Sequence, residues 1–139
     1  MSDVSLYASP AITVEVRGGR VMYAGIVAMP GPDEIGLAAE EVVAWLRAHP
    51  DARAALHIQH VESDRLDAPD LGLLMRIVAT LFQHRDVIEQ TVCATCVQAK
   101  ELDEPAKIAR DLFLSLYNPA NFKIVVGDAK AQSFLAKYT

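Results

Sequence analysis

Asp67-Ala68-Pro69-Asp70-Leu71-Gly72-Leu73-Leu74-Met75-Arg76-Ile77-Val78-Ala79-Thr80-Leu81 is the stretch whose reading decides the fold. From Asp70 to Gln83 only Gly72, Arg76, Thr80 and Gln83 interrupt the apolar surface. At about 3.6 residues per turn these positions fall on one narrow stripe of a helix. A helix apolar over so much of its girth has to contact more than one neighbour. Just upstream, Ala54-Ala55-Leu56-His57-Ile58-Gln59-His60-Val61 fits a strand, with Leu56 and Ile58 on one face and His57 and Gln59 on the other. Glu62 to Leu66 reads as a polar connection between the two.

Working outward, Ile12-Thr13-Val14-Glu15-Val16-Arg17 alternates apolar and polar residues, and Gly18-Gly19 turns it into Val21-Met22-Tyr23-Ala24-Gly25-Ile26-Val27. This is an opening hairpin, and residues 1–10 before it read as a flexible or edge segment. After Pro30-Gly31-Pro32, the helical spacing of Ile35, Ala38, Ala39, Val42, Trp45 and Leu46 predicts an amphipathic helix that His49-Pro50 stops. On the other side, Thr91-Val92-Cys93-Ala94-Thr95-Cys96-Val97 reads as a buried strand. Asp103-Glu104-Pro105 then opens a third helix with Ile108, Ala109, Leu112, Phe113 and Leu116 inward, ended by Asn118-Pro119. Phe122 to Val126 is a last short strand, and Asp128 is the expected N-cap of a closing helix that buries Phe134 and Leu135. The order β-β-α-β-α-β-α-β-α predicts an α/β fold, a small mixed sheet with helices packed mainly on one face.

The 139 residues, 52% of them hydrophobic and 22% charged, suit one domain spanning 1–139 that buries its own core. A net charge of −5 with no basic patch argues against nucleic acid as a partner. Every long apolar run is broken by charge, as at Arg76, and falls short of the roughly 20 residues a membrane span requires. Met1 to Pro10 has neither the basic region nor the apolar run of a secretion signal. The expectation is a cytoplasmic protein with no membrane insertion.

The Asp67 to Leu81 stretch resembles the central loop and helix of STAS domains, the family of sulfate-transporter and anti-sigma-factor-antagonist modules. There the strand leads into Asp-Ser-Ser-Gly-Leu-Gly-Leu-Leu, and a kinase phosphorylates the second Ser. A second anchor is Ala109-Arg110-Asp111-Leu112-Phe113-Leu114-Ser115-Leu116, then Asn121 to Val125 and Ala129 to Leu135, which is similar to the family's closing helix, strand and helix. The resemblance covers about Ile12 to Tyr138. It implies a STAS-like fold and a non-enzymatic regulatory role, docking a partner protein of the anti-sigma-factor or kinase type. In this chain Ala68 and Pro69 stand where the hydroxyls belong, and Asp70 where the Gly belongs. The phosphorylatable position is therefore lost; Ser63 is the nearest upstream hydroxyl and lies out of place for the same kinase.

A helix N-terminus carries unpaired N–H groups and partial positive charge, which favour carboxylates. Asp67 and Asp70, three residues apart, match a capping-box pattern; alternatively Pro69 is the first helical residue and Ala68 the cap. In both readings a fixed negative charge replaces a conditional one. The expected partner-binding residues are Asp67, Ala68, Pro69, Asp70, Leu71 and Arg76, with Gly72, Thr80 and Gln83 on the exposed stripe. The plainer alternative is that the two aspartates only cap a helix.

Other chemistry-bearing residues give no site. Cys93 and Cys96 have redox or zinc spacing, but on a strand they point to opposite faces about 10 Å apart, beyond the roughly 7 Å reach of a disulfide. They read as buried structural thiols. His57 and His60 also alternate, with His57 at the surface and His60 at the strand end, so no metal is expected; His49 and His84 suit helix C-termini. No nucleophile beside a base and no phosphate-binding glycine loop occurs, and helix-end aspartates are held ionised, so neither catalysis nor a cofactor is expected. Two further alternatives stand beside the docking module. One is a nucleotide- or lipid-binding sensor with the apolar central helix lining its pocket, the other a homodimer formed through that helix.

Overall fold

The computed structural model describes residues 3–60, 71–99, 104, 107, 108, 111 and 122–138. They form a mixed α/β fold around a six-stranded sheet in the order β1-β2-β3-β4-β5-β6. The strands are β1 (Val4–Ala8), β2 (Ile12–Arg17), β3 (Val21–Ile26), β4 (Ala54–His60), β5 (Val92–Ala99) and β6 (Phe122–Val126). Pairing is antiparallel from β1 to β3 and parallel from β3 to β6. The change of direction follows from the connections. Gly18 and Gly19, at φ of 59° and 70°, make the tight turn between β2 and β3, whereas parallel neighbours need a longer crossover, supplied by helices. α1 (Glu34–Ala48) lies in the crossover from β3 to β4, α2 (Leu71–Gln83) and α3 (Arg85–Thr91) lie in that from β4 to β5, and α4 (Asp128–Ala136) follows β6.

Alternation along each strand divides the core in two. On one face Val14, Val16, Met22 and Leu56 pack with Ala38 and Leu46 of α1 and with Ile77, Leu81 and Ile88 of α2 and α3. On the other, Ala55, Ala94, Cys96 and Val125 meet Ala131, Phe134 and Leu135 of α4. The short side chains at Ala55 and Ala94, both wholly buried, allow α4 to approach the sheet closely. α1, α2 and α3 therefore share one face and α4 takes the other.

Several local readings change. Residues Val4–Ala8 form a full edge strand paired with β2, so the hairpin is the second and third strand of the sheet. A short helix, α3, follows α2 and claims Thr91, which ends that helix instead of opening β5. Asp128 is the first residue of α4, and the cap position falls to Gly127 at φ 94°. Ile108, expected inward, is 43% exposed. The β4–β5 register shifts between Ala54 and Ala55, and this bulge places Cys93 against the α4-side cluster, on the same side as Cys96. The two thiols thus do not point to opposite faces, though neither is in a disulfide. His57 is not at the surface but 2% exposed. Among the described residues no helix is long and apolar enough to cross a membrane.

Candidate functional site

The residue expected to carry docking that can be placed in full, Arg76, sits on a groove between α1 and α2. Ile35, Ala38, Val42, Trp45 and Leu46 of α1 turn toward the sheet. Leu37 lies off that stripe and is 49% exposed, and Met29, in the loop leading to α1, is 44% exposed. From α2, the Arg76 guanidinium donates to the Gly31 carbonyl at 3.4 Å and approaches Met29 Sδ at 3.5 Å. One turn on, Thr80 Oγ1 donates to the Arg76 carbonyl at 2.8 Å. The groove between them measures about 380 Å³; Asp33, Leu37 and Glu40 rim it on the α1 side and Arg76 on the α2 side. It is open, carries both signs of charge and has an exposed leucine at its lip.

The α1 side of the groove is pinned by Glu34. Its carboxylate accepts from Tyr7 Oη at 3.1 Å and from the Gly31 N–H at 2.8 Å. Hydrogen bonds from Ser9 and Gly31 hold its pKa below the usual carboxylate value. Edge strand β1 and the loop that receives Arg76 are thereby tied to the first turn of α1.

Beneath the groove, between the sheet and α1, α2 and α3, lies a partly open cavity of about 90 Å³. Groove and cavity share Ile35 and Thr80 as walls. Among the described residues lining the cavity only Thr80 and His84 carry polar side chains; Val14, Met22, Leu56, Ile58 and Ile77 are typical of the rest. At about 24 cal/mol per Å³, a void this size costs on the order of 2 kcal/mol in lost packing. It is well below the roughly 300 Å³ at which drug-sized ligands are accommodated. Among the described residues its walls carry no lysine or arginine to meet a phosphate.

The opposite face of the sheet carries a polar cluster. His57 Nε2 lies 2.8 Å from Gln98 Oε1, an acceptor, which assigns the proton to Nε2. Burial lowers the His57 pKa, so the ring is neutral at pH 7. Tyr23 meets that ring edge-on, with centroids 5.2 Å apart, and its hydroxyl donates to Gln59 Oε1 at 2.6 Å. Arg17 lies over the Tyr23 ring at 3.7 Å and its Nε pairs with Glu15 at 2.7 Å. Each of these groups uses its neighbour as a partner, which is the arrangement of a structural network. Burial also raises both thiols, Cys96 to about 11, which leaves them protonated at neutral pH. Among the described residues no group of three or more His, Cys, Asp or Glu is placed to hold a metal ion.

Of the expected docking residues, Arg76 lines the groove and Leu71 is the first residue of α2. Asp67, Ala68, Pro69 and Asp70, and also Ser63, lie outside the described residues. Thr80 of the predicted exposed stripe joins Arg76 in the groove. Leu37 and Glu40 were not expected there. The signal for Leu37 is in the sequence, since it is a large aliphatic residue on the polar side of an otherwise regular amphipathic helix.

No protein-family model, curated protein or solved structure matches this chain.

Proposed function

We propose that this chain is a non-enzymatic protein-interaction module of the STAS type, which docks a partner protein through the Asp67–Leu71 segment and the groove between α1 and α2. The observation that carries this reading is the juxtaposition, across one open groove, of Arg76 with the exposed Leu37, with the exposed Met29 against the Arg76 guanidinium. Exposed apolar residues beside charges of both signs are the make-up of a protein-docking surface with an apolar centre and a polar rim. The STAS resemblance of the Asp67 to Leu81 stretch points to the same helix and to a regulatory partner of the anti-sigma-factor or kinase type. Because Ala68 and Pro69 offer no hydroxyl, docking at that segment is not switched by phosphorylation there.

The test is comparative crosslinking and affinity capture from lysate of the source cells with the wild-type chain, Arg76→Glu and Leu37→Asp. Both substitutions sit at exposed or half-exposed positions and leave thermal stability within about 0.5 kcal/mol. Each is expected to reduce recovery of the specific partner at least tenfold. A partner recovered equally by all three proteins would remove the groove from the interface.

A further inference from the structure

We infer that the groove between α1 and α2 receives an amphipathic helix of the partner protein, which seats an aliphatic side chain over Gly36 beside Leu37, sets basic residues against Asp33 and Glu40, and turns an acidic flank to Arg76. This rests on the docking reading and adds to it the form and charge of the partner's contact. Asp33, Gly36, Leu37 and Glu40 follow one another at steps of three, one and three residues, which puts them on one line of the α1 surface. All four are exposed and all four line the groove. Opposite them on α2 stand Arg76 and the exposed Ala79. One wall is therefore acidic and the other basic, with a single leucine and two small residues between them. Complementary charge across such a surface sets the register of a bound segment and rejects segments of the wrong sign.

Gly36 marks the seat. Glycine is a poor helix former, yet it stands in the first turn of α1. A β-carbon built there would meet no atom within 4 Å outside its own stretch of helix among the described residues, so no contact shown within the chain calls for glycine. The missing side chain leaves a notch beside Leu37, which is 49% exposed. Asp33 stands at the N-cap of α1, but its side chain makes no cap hydrogen bond. Neither residue is accounted for by the fold, and both face the groove. The spacing selects the form of the occupant. Asp33 and Glu40 lie seven residues apart, which is about 10 Å along a helix. A helix laid beside α1 repeats that distance on one face at i and i+7, with i+3 and i+4 between them to cover Gly36 and Leu37. An extended segment places same-face residues about 7 or 13 Å apart and matches neither. A second copy of α1 is the wrong occupant, since it would bring carboxylates against carboxylates.

Peptides selected by display from a random library on the wild-type chain test this, with affinities read by fluorescence anisotropy and the bound form by circular dichroism. The expected binders are helical when bound and carry Lys or Arg seven residues apart around one Leu, Ile or Met. They are expected to lose at least tenfold in affinity on Gly36→Leu, which fills the notch without lowering the melting temperature. Gly36→Ala, which favours the helix, is the second variant should the leucine perturb the fold. On the double variant Asp33→Lys, Glu40→Lys a tenfold loss is expected that narrows at high salt, and selection on that variant should return acidic peptides instead. Binders that are extended when bound, or that are indifferent to both the filled notch and the reversed charges, overturn the inference; they leave the docking reading standing if Arg76→Glu or Leu37→Asp still weakens them. Self-association of the wild type in sedimentation that Gly36→Leu abolishes overturns it as well, by making a second copy the occupant. Binders indifferent to Arg76→Glu and Leu37→Asp alike overturn the docking reading itself.

Discussion

Under α1, α2 and α3 the sheet presents Val14, Met22, Leu56 and Ile58, and the packing leaves a 90 Å³ void. On the α4 side it presents alanines and a cysteine under the helix, with a partnered set of polar groups, Arg17, Tyr23, His57, Gln59 and Gln98, on the same face. The first face also holds Thr95, beside Leu56 and Phe122, whose buried hydroxyl has no hydrogen-bond partner among the described residues. Large residues with spare volume on one side, and small residues with satisfied polar groups on the other, make two faces that differ in tolerance to change. Apolar volume is negotiable where space remains; a buried polar pair is not, because removing one member leaves the other unsolvated.

The largest effect expected is from Leu46→Ala, since this α1 side chain is 0% exposed; denaturant titration should show a loss of about 3 kcal/mol. A loss below about 1 kcal/mol would mean that the helix-covered face packs loosely even away from its void. On the opposite face, Gln98→Leu keeps the volume but strands the His57 Nε2–H, and the same titration should lose about 2 kcal/mol. An unchanged midpoint would break the contrast by showing that the polar pair is dispensable.

Thr95→Val works in the reverse direction. With no partner to lose, the variant should gain about 1 kcal/mol, read as a rise in melting temperature. A drop would show that the hydroxyl is in use.

The smallest effect at neutral pH comes from His57. Its folded-state pKa lies below the unfolded value of about 6.5, so the unfolded chain binds more protons between the two. Stability is complete above about pH 6.5 and declines as pH falls through that value toward the folded-state one. Glu34 adds a loss of the same sign, but below its ordinary 4.5. Unfolding free energies at pH 7 and pH 5 should therefore differ less in His57→Gln than in the wild type. Equal slopes would remove His57 as the source.

How much of this was legible in the sequence depended on periodicity. The hairpin at Ile12 to Val27 and the helix through Ile35 and Leu46 each carry a repeat over at least two turns or six residues, and both formed as read. The bulge opposite Ala54 and Ala55 left no such trace, because one extra residue in a run of β-branched and small side chains changes no pattern; it nevertheless moved Cys93 to the face of Cys96. His57 was read correctly for its face and wrongly for its exposure. Alternation says which side of a sheet a residue takes, not whether Tyr23 from the adjacent strand packs against it. For the site, Arg76 stood out as a charge within an apolar helix, whereas the groove depends on two helices meeting, which no single stretch encodes.

The strand order has a kinetic consequence. Each strand lies beside the one that precedes it in the chain, so no strand has to be threaded between two others already paired. A chain leaving the ribosome can lengthen its sheet from a single growing edge, and an assembly stalled part-way would expose the border of its newest strand in addition to the outer border of edge strand β1.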